Sequence, residues 1–329
     1  MNRRMFIGSG AAACALLPRV LGAQPSARVY RVGYIGLTGP PGSGPPTEPY
    51  WVAFHDELRT QGYVEGQNLA IELRWIEGRD ERIPALVAEL LGKNVDVLVT
   101  THTGAARAAK RATSTVPIVM AGLSNPERTG LVESLARPGG NVTGVSNMFA
   151  ESAAKIVELF KEACPNRSRL GVVSIGDPGN PSTSPYREGL ESAAKVLRVT
   201  LSSERVPSPD ALDAALNGLL RQRVEALHAT QDVLAFRVKI GDFAMANRLP
   251  LFTRADNWPW MLLSYGVSWP DIFRLVARQI VQILKGVRPA DLPVHQATKF
   301  VLVINMKTAK ALGLAIPQSL LLRADQVIE

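Results

Sequence analysis

The sequence predicts an α/β protein built as two doubly wound parallel-sheet lobes with a cleft between them. Three observations lead there. A chain of 329 residues is too long for one small core and suits two domains of ordinary size. Short apolar runs such as Val95-Asp96-Val97-Leu98-Val99-Thr100 have the character of strands buried on both faces of a parallel sheet. Strand-like and helix-like segments also alternate through two successive blocks of about 120 and about 110 residues, the order that winds such a sheet.

The elements follow in order. A strand is expected over residues 29–37, then a Gly/Pro-rich loop at 38–49 and a helix at 50–61, stopped at Gly62 where a positive φ suits glycine. Residues 69–76 alternate as a strand. Asp80 opens a helix whose apolar positions Ile83, Leu86, Val87, Leu90 and Leu91 share one face. Strands at 95–100, 116–120 and 141–145 then enclose helices at 103–113 and 127–136.

The second block repeats the pattern, with helices at 151–163, 185–197, 210–220 and 233–247 and strands at 169–175, 199–205, 224–229 and 249–253. A further strand at 261–265 precedes a long helix opened by Ser268 and Pro270 and closed at Lys285-Gly286. A connector punctuated by Pro289 and Pro293 leads to a strand at 299–305 and a helix from Met306. The expected division gives residues 28–146 and about 266–291 to lobe 1, and 147–265 and about 292–329 to lobe 2.

Residues 1–23 read as an export leader. Arg3 and Arg4 precede an apolar run too short to span a bilayer, which needs ~20 residues. The Arg3-Arg4-Met5-Phe6 start is similar to a twin-arginine signal, with a general export signal as the alternative. Cys14 raises a lipoprotein alternative, but Ala11 stands where a lipid-attachment site usually has Leu. Cleavage after Ala23 would remove Arg3, Arg4 and Arg19 and no acid, so the net charge of +8 drops by three to +5. Arg107, Lys110 and Arg111 share a helical face without interleaved aromatics, the pattern of a solvated face rather than a nucleic-acid track. The only cysteine left after cleavage is Cys164, which excludes an intrachain disulfide.

Catalytic motifs are missing. There is no Gly-x-Gly-x-x-Gly after the first strand, no phosphate-binding loop ending in Gly-Lys-Ser/Thr, and no Gly-x-Ser-x-Gly elbow. His55, His102, His228 and His295 stand apart without metal-ligand spacing. Surface or packing roles are expected of them, except for His102 at a strand end. No motif advertises catalysis, a cofactor or a metal, and a catalytic site assembled from residues distant in sequence stays open.

Ligands of open parallel sheets lie beyond the carboxyl ends of the strands. In lobe 1 this picks out Thr38, Thr101, His102, Thr103 and Asn125, whose hydroxyls, amides and helix-start N–H groups suit an anionic group or else cap the next helix. In lobe 2, Asp177, Gln231 and Asp232 follow strands, and either aspartate would pair an amine or start a turn. Tyr265 lies in the segment nearest the crossover. Trp260 is a candidate for stacking on a flat ligand, with lobe-edge packing as its other reading.

Several runs are recognisable. They include Gly62-Tyr63-Val64-Glu65-Gly66-Gln67-Asn68-Leu69, Ala108 through Val119, and Leu135-Ala136-Arg137-Pro138-Gly139-Gly140-Asn141-Val142-Thr143-Gly144-Val145. Others are Leu284-Lys285-Gly286 and the stretch from Ala290 to Leu314. In this order they resemble the ABC-transporter substrate-binding family that includes tryptophan/tyrosine-type binding proteins. The resemblance implies a type I periplasmic binding fold, a monomer that closes over a small-molecule solute and delivers it to a membrane permease, and residence in the periplasm; such a binder is not an enzyme and needs no catalytic residues or cofactor, which accounts for the empty motif search.

The departures concern the ligand. His102-Thr103-Gly104 stands where the family usually has Gly-Thr-Pro, Ser124-Asn125-Pro126 where it often has Gly-Asp-Pro, and Pro259-Trp260-Met261 where it commonly has Ala-Gly-Gly. A small organic solute, aromatic or carboxylated, is the expected cargo. A ligand-sensing receptor module on the same cleft is the alternative, and an exported hydrolase a third reading.

Overall fold

The computed structural model describes residues 28–37, 48–175, 184–254 and 258–329. The export leader, residues 38–47 of the Gly/Pro-rich loop with Thr38, and Asp177 lie outside them. Two separate sheets organise these residues, as the alternation predicts.

The first sheet takes β1 (Tyr30–Gly36), β2 (Leu69–Trp75), β3 (Val97–Thr100), β4 (Ile118–Ser124) and β5 (Val142–Asn147) from the first half of the chain. Its order is completed by a late two-residue strand, β11 (His295–Gln296), so that the sheet runs β11-β5-β4-β3-β1-β2, all parallel. Both faces are covered, which explains the continuous apolar strands. Val97, Val99, Val119 and Ala121 pack toward α1 (Pro49–Thr60) and the late helix α8 (Trp269–Leu284), whereas Leu98, Ile118 and Met120 face α2 (Ile83–Gly92) and α3 (Thr103–Ala112).

The chain crosses after β5. In the second sheet α4 (Phe149–Ala163), β6 (Arg169–Ser174), α5 (Ser184–Val196), β7 (Thr200–Arg205), α6 (Leu212–Arg221), β8 (Ala226–Ala229), α7 (Arg237–Ala246), β9 (Leu251–Thr253) and β10 (Met261–Val267) follow one another. Val267 then leads back to the first sheet through α8 (Trp269–Leu284), whose Ile272, Phe273, Val276 and Ile280 join the first core. Ser268 caps this helix, accepting the Asp271 N–H at 3.4 Å. β11 (His295–Gln296) pairs with β5, and the chain crosses a third time between Ala297 and Phe300.

The last elements are β12 (Phe300–Asn305), antiparallel to β10, then α9 (Met306–Leu312), α10 (Gln318–Leu321) and β13 (Gln326–Ile328). The second sheet's order is β13-β12-β10-β9-β8-β6-β7. Here α4, α5 and α9 cover one face, while α6 and α7 cover the other.

Two expectations need correction. Residues 127–136 form turns, not a helix. Gly130 takes φ +71°, and Thr129 gives its N–H to the Asn125 carbonyl and its hydroxyl to the Pro126 carbonyl, so hydrogen bonding is spent on tight local closures. The expected end of lobe 1 at residue 291 also falls early. Leu292, Val294 and Ala297 are buried with the first sheet, and the Thr143 hydroxyl donates to the Leu292 carbonyl at 2.7 Å.

No helix among the described residues is long and apolar enough to cross a membrane. Cys164, at the end of α4, is 3% exposed, and burial pushes its thiol up to about 11.

Candidate ligand-binding cleft

The parallel strands bring their carboxyl ends to one edge of each sheet. In the first sheet that edge carries Thr101 and His102 after β3 and Asn125 after β4. A side-chain hydrogen bond joins Thr101 to Tyr34 of β1. Burial raises the Tyr34 phenol above its usual range, and Tyr50 and Glu48 at the start of α1 push the same way. Tyr34 therefore stays a neutral phenol, packed edge-on to Trp51 at 4.8 Å and Trp75 at 5.5 Å.

His102 is the N-cap of α3. Its Nδ1 lies 3.3 Å from the Ala105 N–H and accepts from it, and its own N–H is held by the Thr100 hydroxyl at 3.0 Å. Nε2 sits 3.7 Å from Asp80 Oδ1. Burial lowers the imidazole below its ordinary range, while the charges of Asp80 and Asp232 oppose that shift. Asp80 belongs to lobe 1 and Asp232 to lobe 2, so one ring feels carboxylates from both.

Thr103 begins α3, and Asn125 adopts φ +47° directly after β4. Both occupy the expected edge. The neighbouring polar pair is more deeply set, with the Ser124 hydroxyl donating to Asn147 Oδ1 at 2.9 Å at the first crossover.

On the second sheet, Gln231 and Asp232 open the short 3-10 turn Gln231–Phe236 after β8. One Asp232 oxygen accepts the Ile175 N–H at 3.1 Å, and the other accepts from the Thr230 hydroxyl. The carboxylate is thus fixed between the ends of β6 and β8. Arg237 begins α7, and its charge reaches Tyr50 of lobe 1.

Arg254 follows β9 and was not singled out from the sequence. It is only 5% exposed, and its guanidinium carbon lies 4.4 Å from the centre of the Tyr186 ring. Burial lowers it to about 10, against the attraction of Tyr186 and Asp232, so it remains a cation at neutral pH. The signal was its position directly after the buried run Leu251–Thr253. Arginine is ordinarily a surface residue, which hid it.

Two candidates fall away from this group. Met261 pairs with Leu251, so β10 starts level with the start of β9. Trp260, just before β10, therefore lies at the opposite end of the sheet from Asp232 and Arg254. It is 45% exposed and gives its indole N–H to Asp242 at 2.8 Å. Trp258 is buried in the core beneath. Tyr265 stacks on Phe300 at 5.4 Å on the α4 side of β10, with Lys155 and Glu158 as its charged neighbours.

Of the other histidines, His55 lies on α1, with Nδ1 3.6 Å from Glu65. His295 is exposed in β11 and His228 fully buried in β8. Among the described residues no cluster of His, Cys, Asp or Glu could hold a metal ion.

The two-sheet α/β arrangement places the chain in the class of proteins with a type I periplasmic binding fold. Residues 43–328 match the family described as ABC transporter substrate binding protein, and the chain belongs to that family. It is a substrate-binding protein and not an enzyme.

A tyrosine-binding protein of Clostridioides difficile (strain R20291) is 23% identical over 265 residues, spanning 79% of this chain and 75% of that protein. The crystal structure of an ABC domain from Streptococcus pneumonia in complex with L-Trp is 27% identical and superposes with a TM-score of 0.80. A conserved domain protein from Vibrio cholerae is 28% identical, with a TM-score of 0.81. Each comparison covers 91% of this chain and 100% of the other.

Proposed function

We propose that this protein is the solute-binding component of an ABC importer and captures an amino acid or a related aromatic carboxylate by closing its lobes. It works as a monomer in the periplasm, after export by its leader along the twin-arginine route, and hands the solute to a membrane permease. The observation that carries this reading is the position of His102, whose ring is biased by Asp80 from its own lobe and by Asp232 from the other. Groups of two lobes that act electrostatically on one another in this way change their interaction as the lobes move, which is what lets a ligand between them favour a closed state.

Further support comes from relatives that bind tyrosine or are seen with L-Trp. In this reading Thr101, His102, Thr103 and Asn125 contact the solute from lobe 1 and Asp232 from lobe 2. Trp260 serves the fold at the far end of the second sheet, and Tyr265 braces β10 beside the crossover.

Thermal unfolding of the leaderless protein against the twenty amino acids, phenylacetate and indole-3-acetate tests the proposal. A solute at 100 times its Kd adds about 2.7 kcal/mol to the stability and raises the melting temperature by a few degrees. No shift with any of these solutes would overturn the assigned solute class.

A further inference from the structure

We infer that Glu48 receives the protonated amine of the solute, through a carboxylate that the start of α1 leaves unused. This rests on the function proposed above and narrows its solute from aromatic carboxylates at large to amino acids. The sequence alone looks for the amine's partner in lobe 2, at Asp177 or Asp232. Asp177 lies outside the described residues. Both oxygens of Asp232 already accept hydrogen bonds within its own lobe, from the Ile175 N–H and the Thr230 hydroxyl.

Lobe 1 supplies a carboxylate in a different condition. Glu48 is the N-cap of α1, yet its side chain makes no cap bond. Pro49, at the start of the helix, has no N–H to offer. The N–H groups of Trp51 and Val52 both go to the Glu48 carbonyl oxygen, at 2.9 and 3.3 Å. Backbone groups thus close the helix start, and the carboxylate is left over. Its Oε2 is shut off from water and has no hydrogen-bond partner. Such an oxygen costs free energy until a donor reaches it.

The position of Glu48 turns that leftover acceptor toward the cleft. Because α1 follows β1, its start stands at the carboxyl edge of the first sheet. The charge of Glu48 acts there on the phenols of Tyr34 and Tyr50 and raises both. Tyr34 is bonded to Thr101 at the end of β3, and Tyr50 in turn feels Arg237 from the start of α7 in lobe 2. One acid, two neutral aromatic rings and the opposing lobe meet at this point. An ammonium group suits it, donating to Oε2 and drawing on the electron-rich ring faces. A solute carboxylate does not, since Glu48 repels it.

The test pairs amino acids with the same acids lacking the amine. Isothermal titration compares L-tryptophan with indole-3-propionate, L-tyrosine with 3-(4-hydroxyphenyl)propionate, and L-phenylalanine with 3-phenylpropionate, on the wild-type protein and on Glu48→Gln and Glu48→Asp. Wild type is expected to prefer the amino acid of the bound pair by about 30-fold or more. Glu48→Gln removes that preference by weakening the amino acid while changing the deaminated acid less than about 3-fold. Glu48→Asp keeps part of it, since the charge remains on a shorter arm. The solute-free Glu48→Gln protein should melt no lower than wild type, because the fold draws no bond from Oε2.

Equal binding of an amino acid and its deaminated acid to wild type would overturn the amine site and leave the proposed function standing. Equal losses for both in Glu48→Gln would do the same, and would make Glu48 a partner of lobe closure through Arg237 instead. A clear drop in the melting temperature of solute-free Glu48→Gln would mark the side chain as structural and also overturn the site. No binding of any of these solutes would overturn the solute class and the amine site together. Should Glu48→Gln not fold, the wild-type ratio and Glu48→Asp still decide: an aspartate variant with an undiminished preference overturns the site.

Discussion

Tyr186 donates its hydroxyl hydrogen to Nε2 of His228 across 2.8 Å. The direction is fixed by the other ring nitrogen, since Nδ1 lies 3.1 Å from the Phe252 carbonyl oxygen, an acceptor that requires a hydrogen there. A neutral imidazole of one tautomer, fully buried in β8, therefore links α5 to the strand that precedes Arg254.

That pair makes stability depend on pH. Burial brings His228 down to about 3, from an ordinary value near 6.5 that the unfolded chain keeps. Between these values the unfolded state binds more protons, so the unfolding free energy rises with pH at up to about 1.4 kcal/mol per unit from this group. The contribution is complete above about pH 6.5 and lost as pH falls toward 3. Denaturation followed from about pH 4 to 7 should give a shallower slope in His228→Asn than in wild type. Identical slopes would show that the ring is not buried neutral.

Asp232 provides a reading of the lobe arrangement in solution. Its charge raises His102 against the lowering caused by burial. In Asp232→Asn the His102 titration, followed by the NMR shift of the ring, should move to lower pH. An unmoved titration would mean that the two lobes do not approach as they do here.

The first core depends on one ring. Phe273 of α8 is 1% exposed and meets Tyr50 at 4.7 Å, Trp51 at 5.7 Å and Phe54 at 5.9 Å, all from α1. Phe273→Ala should cost about 3–5 kcal/mol in chemical denaturation. By contrast, the Arg278–Glu57 pair between the same helices closes at 2.9 Å with the arginine 56% exposed. Arg278→Ala should cost under about 1 kcal/mol.

Gly266→Ala should destabilise the protein by about 1–3 kcal/mol, because the added methyl meets a backbone carbonyl that has nowhere to relax. A melting temperature equal to wild type would show that the segment after β9 shifts freely.

The sheets were legible because buried parallel strands leave a plain trace. Val97-Leu98-Val99 needs apolar residues on both faces, and the sequence has them. The 127–136 segment was misread because an apolar spacing there serves turns, with Leu131 and Val132 buried although no helix forms. β11 escaped notice for another reason. A two-residue strand has no period of its own, and its partner β5 is distant in sequence. Strand-end position alone puts Thr101, His102, Thr103, Asn125 and Asp232 on the carboxyl edges, as the structure places them. Trp260, an aromatic candidate set against the register of β10, stands at the other end, and Arg254 drew no attention because a usual surface residue is buried there.

The third crossing has a consequence for how the polypeptide is made. Thr143 in β5 waits for Leu292, which is 149 positions later. At a synthesis rate of about 5–20 residues per second, that is a delay of roughly 7 to 30 s. α8 arrives within the same interval, so one face of β3, β4 and β5 emerges from the ribosome before the helix that shelters it exists. Neither lobe is a contiguous stretch of the message. The nascent chain must carry an open apolar surface through the synthesis of nearly the whole second lobe, which makes it a natural client for chaperones before it meets any transporter.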